Sequence, residues 1–499
     1  MAKRGRPLGS SKKTAQVQNK YDAAGNGRRM RGWNPSASGP NKAITGLQNI
    51  RNRSRDAGRN DWSGESAAQK WTTTLIGVGI VPRFNRIKNP VRKQEVTDLH
   101  NDFVAQSDAD GVLNLYGQQT LAVRSWFESG EVFARKRARR PDAGFAVPMQ
   151  VQLIEADFVP LLDADTWPGL LTGNRIRSGI ELTISNRRVA YWVYKEHPGD
   201  GVMGNLSNVS TTLLVRIPAE DMLHIFFPTR PGQLRGVPAM APVLAKLRSI
   251  NDYDDTVLER QKLANLFVGF ITRTMGGSGD PEADPLTGMP IEGSMSAPLV
   301  GLQPGIMQEL DNGEDVKWSN PPEAGTMYHE YMRTQNMTTA AAAGMPYELM
   351  SGDIRQVSDR TLRVLMNEFR RLAEQRQWQV VIPMFCKPIM TWFAEAAFLA
   401  GKIEQSEIVY VRNAEHSPHG WAYIHPVQDV QGKALEVSSG FRSRASVVGE
   451  RGDDIETVDQ ERASDSAREA RLGLSPAGQP VAQKIKPKKP VKSETVGKP

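Results

Sequence analysis

Three carboxylates fall within four residues at Asp252, Asp254 and Asp255, in the stretch NDYDD. Acids set this closely are what a two-metal phosphodiesterase uses to hold divalent cations against a phosphate. The apolar spacing around them is helical, however. At 3.6 residues per turn Asp252 and Asp255 share a face while Asp254 points elsewhere, so a solvated helix face accounts for them better. A second cluster, HSPHGWAYIH, sets His416, His419 and His425 within ten residues. Imidazoles ligate zinc, but the nearest acids, Glu415 and Asp429, stand at no recognisable ligand spacing, and a turn-rich, partly buried loop is expected. His224 alternates within an apparent strand as a core or interface residue. Cys386, the one cysteine, lies in an apolar helical stretch and is expected to fill core space rather than act as a nucleophile. The chain contains no GxxxxGK(S/T), HExxH, GxSxG or EF-hand loop. The expectation is no catalytic residue, no metal and no cofactor: not an enzyme.

What positions these residues is a chain of 499 residues with 39% hydrophobic composition, enough for two or more domains. The most apolar long window, residues 380–400, is interrupted by Pro383, Lys387, Pro388 and Glu395 and is not expected to span a membrane. The opening MAKRGRPLGSSKK lacks the apolar core of a secretory signal, and a single cysteine suits a reducing cytoplasm. Charge is spread unevenly. Residues 1–60 hold fourteen Lys/Arg against two acids, +12, and residues 481–499 hold six Lys against one Glu, +5; together they exceed the whole chain's +8 and leave the body between them at −9. Basic tails on an acidic body suit contact with a polyanion through the tails.

Residues 1–50 read as a basic, mostly disordered arm. Its KRGRP resembles an AT-hook core, which makes Lys3, Arg4, Arg6, Lys12 and Lys13 candidate nucleic-acid contacts, with a solvated arm as the plainer reading. Residues 51–236 are expected to form an α+β domain. Helical segments come first, with Leu121, Val123, Trp126 and Phe127 around one side of a helix. Strand candidates follow in PMQVQLIEADFV, a hairpin over Ile180–Glu196, TTLLVRIP and DMLHIFFP. Apolar residues then recur at three- and four-residue steps through residues 237–274, predicting a helix of about 34 residues and roughly 50 Å. Such a rod implies a partner along its length. Residues 275–322 are a Gly/Pro/Asp-rich excursion expected to hold short strands and turns. A second helix is expected over 323–343, helices that break at Pro383 over 358–425, shorter helices over 426–474, and a Pro/Lys-rich disordered tail over 475–499.

Between the second helix and the next lies a loop over 344–357. The run AAAAGMP ends one helix at Gly344 and Pro346, and Ser358 is a plausible N-cap for the next, with Val357 and Leu362 as a hydrophobic staple. On length alone this is an ordinary helix–helix turn.

Four stretches, in order along the chain, resemble the lambda family of phage portal proteins: RSRDAGRNDWSGESAAQKWTTTLIGVGIVP, HIFFPTRPGQLRGVP, GMPYELMSGD and GDDIETVDQERASDSAREARLGL. The third departs from the family in GDIRQVSDRTLR, where an Asn/Tyr/Ser-rich bend is commoner. The resemblance implies a portal-type α+β subunit with a wing (51–236), two stem helices (237–274 and 323–343), a small α/β clip (275–322), a tunnel loop (344–357), wing/crown-connecting helices (358–425) and a helical crown (426–474). It further implies a homo-oligomeric ring, usually dodecameric, at one capsid vertex of the virion, assembled in the bacterial host cytoplasm, through which double-stranded DNA is packaged and ejected. Its implied partners are the terminase large subunit, the major capsid protein and scaffold, and head–tail adaptor proteins. Met345, Tyr347, Glu348, Met350, Asp353, Ile354, Arg355 and Gln356 are then expected to line the channel, with Glu348 and Asp353 repelling phosphates. The alternatives are a metal-dependent nuclease built on the NDYDD acids and a minor capsid protein without a channel.

Overall fold

The computed structural model describes residues 37–473 except 43, 201–212, 267–269, 274–313, 318–326, 356 and 422–425, together with 32 and 35, and describes the backbone alone for 263–266, 270–273 and 314–317. The basic arm residues Lys3, Arg4, Arg6, Lys12 and Lys13, most of the Gly/Pro-rich excursion, Gln356, His425 and the Lys-rich tail lie outside the described residues.

Two helices open the described fold, α1 (Leu47–Asn60) and α2 (Trp62–Ile76), joined by Asp61, whose side chain caps α2 by accepting from the Ser63 and Gly64 amides. Strand β1 (Val81–Arg83), α3 (Pro90–Gln106) and α4 (Leu115–Ser129) follow. In α4, Val123 and Phe127 are buried but Leu121 is exposed, which corrects its expected place on their side. Positions two apart on a helix stand about 200° apart and cannot share a face. Strands β2 (Glu131–Ala138), β3 (Met149–Ile154), β4 (Arg175–Arg177), β5 (Ile180–Leu182), β6 (Arg188–Tyr194), β7 (Leu214–Pro218) and β8 (Met222–Phe226) form two antiparallel sheets, ordered β3-β2-β8 and β4-β5-β6-β7. Phe133, Ile154, Tyr191, Val193 and Ile217 fill the space between them.

The expected 34-residue helix is shorter. Helix α5 runs over Leu244–Leu266, and β9 (Phe270–Arg273) is extended and pairs antiparallel with β10 (Glu314–Lys317). Pro242 biases the residue before it away from helical backbone and delays the start. The FITR run is aromatic and β-branched, favouring extended chain at the far end. Helix α6 (Tyr328–Ala343), a short α7 (Tyr347–Ser351) and α8 (Asp359–Arg376) come next.

No break occurs at Pro383. The chain passes from α8 through a π-wound segment, Gln377–Cys386, into α9 (Lys387–Leu399), so that 359–399 is one helix of 41 residues. Proline lacks the amide an α-helix needs and crowds the carbonyl four residues back; widening the turn accommodates both. This helix is long and apolar enough to cross a membrane, yet 67% of its most apolar window is buried inside the fold. Val380, Val381, Phe385, Cys386, Ile389 and Phe393 join Trp71, Leu75, Ile76 and Phe103 in the main core. Helix α10 (Ile408–Arg412), β11 (Glu415–Ser417), which pairs with β1, and α11 (Pro426–Ser438), α12 (Arg444–Glu450) and α13 (Ile455–Leu472) complete the described chain. None of the last three has a buried residue.

One polar centre ties the early helices to the sheets. Glu131, the first residue of β2, is fully buried. Its carboxylate accepts from Arg51 of α1, from Arg235 Nε at 2.6 Å, from His224 Nε2 at 2.8 Å and from the Gly236 amide at 2.7 Å. Arg51 and Arg235 are buried too, and both donate to the Ala156 carbonyl. Arg188 Nη1 lies 3.3 Å from His224 Nδ1. A guanidinium can only donate, so Nδ1 is the acceptor and His224 is the neutral Nε2–H tautomer. Gly236 is required here for space: a Cβ on it would stand 2.0 Å from the Gly130 carbonyl oxygen.

The two arginines beside Glu131 hold its carboxyl well below the usual range against the opposing effect of burial. Glu131→Gln would leave two buried guanidiniums under-compensated, and we expect a loss of roughly 3–5 kcal/mol in urea unfolding. Burial also pushes four histidines down: His100 to about 3, His224 and His416 to about 4, and His419 below its ordinary value. Their folded pKa values lie below the unfolded value near 6.5, so the unfolded chain binds more protons in between. Stability is therefore full above about pH 6.5 and declines as pH falls towards 4, with a slope of up to about 1.4 kcal/mol per pH unit for each histidine. Urea titrations between pH 7.5 and about 4.5 check this, and His100→Phe should remove one proton from the slope.

Candidate functional site

The segment between α6 and α8 is held from both ends and from beneath. At its start Gly344 adopts a left-handed conformation (φ 73°). Its amide donates to Ala341 O at 3.1 Å and the Met345 amide to Ala340 O at 3.0 Å. This pair of bonds closes the helix end and folds the residue after glycine back against the last turn. At the far end Ser358 Oγ accepts from the Thr361 amide at 3.1 Å, capping α8. From beneath, Trp71 Nε1 donates to Ala343 O at 2.6 Å and Ser66 Oγ to Met350 O at 2.6 Å, both from α2. Trp71 also packs edge-on against Phe369 of α8, ring centroids 5.3 Å apart. One tryptophan thus touches the helices on both sides of the segment.

This geometry sorts the eight expected channel residues. Met345 and Met350 are buried in the main core, so neither side chain is displayed, which corrects the expectation for both. The helix-end closure turns Met345 inward, and α7 winds Met350 to the same side. Tyr347 and Glu348 are half-buried. Ile354 and Arg355 are exposed, Ile354 by 67%. Gln356 lies outside the described residues.

The expected repulsive charge is also altered. Arg355 grips Asp353 through Nε at 2.8 Å and Nη2 at 3.0 Å, and the Arg355 amide adds a bond at 3.1 Å. These contacts hold the Asp353 carboxyl far below its ordinary range and raise the Arg355 guanidinium. From α6, Arg333 Nη2 donates to Arg355 O at 3.3 Å and the guanidinium lies over the Tyr347 ring at 5.8 Å. The tip pairs its own charges, leaving Glu348 as the acid of the segment outside that pair.

The other chemistry-bearing clusters do not converge. Asp252 pairs with Arg248 at 3.0 Å, and Asp254 accepts from the Tyr328 hydroxyl. All three acids of the NDYDD stretch are exposed. His416 is buried on β11 and His419 half-buried. Both line a cleft of about 1080 Å³, in which Trp421 Nε1 donates to Glu374 at 2.8 Å and Lys433 to Glu450 at 2.8 Å. Cys386 is buried and its thiol is pushed up to about 12, which suits a core residue. Among the described residues one trio of possible metal ligands lies together, Glu155, Asp157 and His197. The Arg55 guanidinium already sits against both carboxylates.

Residues 26–377 match the family described as phage portal protein, lambda family. The last resembling stretch, Gly452–Leu474, lies beyond that match. The chain is 25% identical over 358 residues, 69% of its length, to a probable portal protein of Halomonas phage phiHAP-1. It is 21% identical over 322 residues to the portal protein of Escherichia phage N15 and 20% identical over 322 residues to portal protein B of Escherichia phage lambda, each match covering 60% of this chain. These matches span 64%, 60% and 60% of the relatives' own lengths, less than two thirds in each case. A chain from the neck of a native GTA particle computed with C12 symmetry aligns at a TM-score of 0.44 and 14% identity, over 90% of this chain and 98% of that one.

If Trp71 is what seats the segment, Trp71→Phe keeps the ring but loses the bond to Ala343 O. One such bond is worth about 0.5–1.5 kcal/mol, so amide exchange across residues 344–352 should quicken roughly two- to tenfold. The exchange rates of β2 and β6 should be unchanged.

Proposed function

The chain belongs to the lambda family of phage portal proteins, and from that premise we propose that identical copies close into a ring at one capsid vertex, through which double-stranded DNA is packaged and later ejected. Residues 51–236 form the wing, α5 and α6 the stem, 275–322 the clip, 344–357 the tunnel loop and 426–474 the crown. The basic 1–50 arm and 475–499 tail flank them. The ring docks the terminase large subunit, which supplies the ATPase that this sequence lacks, and later the head–tail adaptor proteins. It sits among the major capsid protein and scaffold of the virion. The subunit performs no catalysis of its own.

The observation that carries the reading is the seated segment between α6 and α8, set within the family match. Repeated around an axis, Ile354 and Arg355 at its tip would be the displayed residues, with Tyr347 and Glu348 flanking them. A conduit should not grip its cargo, because each phosphate neutralised by a cation adds affinity through counterion release. A tip whose arginine is already held by Asp353 suits that requirement. The stem supports the assembly. Tyr253, Leu258, Tyr331 and Met337 on α5 and α6 are exposed in the single chain, and apolar faces of this kind mark contact with another surface.

Negative-stain microscopy of the purified protein should show rings with a central hole. Leu258→Asp with Tyr331→Asp should abolish them, with the melting temperature of the single chain within a few degrees of the parent. Metal-dependent DNA cleavage lost in Asp252→Asn would instead favour the nuclease reading. Uniformly solitary molecules would end the portal reading.

A further inference from the structure

One end of the three-stranded sheet carries cations that neither the core nor the tunnel loop uses. Alternation along β2 puts Glu131, Phe133, Arg135 and Arg137 on one face. The Arg139 amide donates to Pro148 O at 2.9 Å, so the same alternation continues past the end of the strand. The first two side chains are buried, Phe133 against the four-stranded sheet and Glu131 in the polar centre. The arginines emerge beyond it, Arg135 and Arg137 half-buried and Arg139 exposed.

Across the strand pair, Arg135 stands opposite Gln152 and Arg137 opposite Gln150. Antiparallel pairs commonly set an opposite charge there; this one sets neutral amides. Arg137 Nε donates to Gln152 Oε1 at 2.8 Å and Arg139 Nε to Gln150 Oε1 at 2.7 Å. Gln150 is buried, and its Nε2 donates to Gln106 O at 2.9 Å and Asp108 O at 2.8 Å. That amide cannot turn over without losing both bonds, so its oxygen is held as an acceptor for Arg139. The arginines are positioned without being neutralised. Among the described residues neither Arg137 nor Arg139 pairs with a carboxylate, and their Nη nitrogens have no protein partner. Of the acids nearby, Asp221 acts on Arg135, the innermost of the three, and Glu395 lies 3.4 Å from Lys136 on the opposite face.

We propose that Arg137 and Arg139, with Arg135 behind them, form a ladder that takes successive phosphates of a nucleic-acid backbone on the wing. Alternate residues of a strand stand about 6.5–7 Å apart, comparable to the step between neighbouring phosphates of one strand. The free Nη edge of a guanidinium matches two phosphate oxygens at once. The contact is to backbone only and reads no sequence. The proposal deepens the portal reading, because a DNA conduit is what brings this polymer to the molecule.

The test is fluorescence anisotropy of the full-length protein with a short DNA duplex, titrated between about 50 and 200 mM salt. Arg137→Gln with Arg139→Gln should lower the slope of log K against log salt by about two, and weaken binding on the order of tenfold or more at 0.1 M salt. Arg53→Gln with Arg59→Gln on α1, an equal loss of charge, should not. Arg137→Lys with Arg139→Lys should retain the slope, which separates lost charge from lost fold. An unchanged slope in the Gln variant, or an equal drop in the α1 control, overturns the ladder. So does a ladder-dependent affinity for polyglutamate exceeding that for the duplex, which would make the partner an acidic protein. Ring formation by the same variants reports separately: rings with unaltered DNA binding sink the ladder alone, and a ladder effect without rings sinks the portal reading alone.

Discussion

The buried carboxylate of Glu131 is the constraint from which the packing of the early helices and the sheets follows. A charged group with no water must have each acceptor position filled, and here the donors come from distant parts of the chain. Arg51 brings α1, His224 brings β8, and Arg235 with the Gly236 amide bring the connection that leads towards α5. None can withdraw without exposing a bare charge to the others, so their relative positions are set together. Two resembling stretches of sequence separated by more than a hundred residues thereby meet at one point. The Arg-Gly of RPGQLRGVP contacts Glu131 directly. Arg55, within the first stretch, binds Asp157 beside the same centre.

From this centre a rigid path leads to the segment before α8. Arg51 fixes α1, and the Asp61 cap hands the chain directly from α1 into α2. Helix α2 then supplies Ser66 and Trp71, the two donors beneath the segment. Asn251 of α5 also donates to Asp61 Oδ2 at 2.7 Å. The same junction thus touches both α5 and the helix that seats the segment. The path from α5 to the segment before α8 therefore runs through packed helices and directed bonds rather than through slack chain.

Much of this was legible locally. Gly344, Pro346 and Ser358 marked the ends of the segment because their backbone preferences act without long-range help. The hairpin β5–β6 falls within the expected span Ile180–Glu196. What could not be read depends on tertiary partners. Met345 and Met350 looked displayable because hydropathy does not say whether a loop's apolar residues meet a core or a lumen; Trp71 and α8 decide that. Glu131 was missed because one acid at a strand start carries no periodic signal; the clue lay in SGE, where a charge directly follows the turn that leads into a buried strand. Pro383 misled through a local rule that a wider helical turn evades. The strand over Phe270–Arg273 depends on pairing with Glu314–Lys317, far along the chain.

Two arrangements of arginine in this protein embody opposite electrostatic solutions. At the loop tip, Arg355 closes a bidentate ring on Asp353, so the two charges of the pair offset each other. On β2, neutral glutamines orient Arg137 and Arg139, so position is fixed while the charge stays available. Had Gln150 and Gln152 been glutamates, the same geometry would have neutralised the ladder. Had Asp353 been asparagine, the loop would present a bare cation at its tip. The amide or acid beside each arginine therefore decides whether a fixed guanidinium keeps its charge available, as on β2, or has it paired within the chain, as at Asp353.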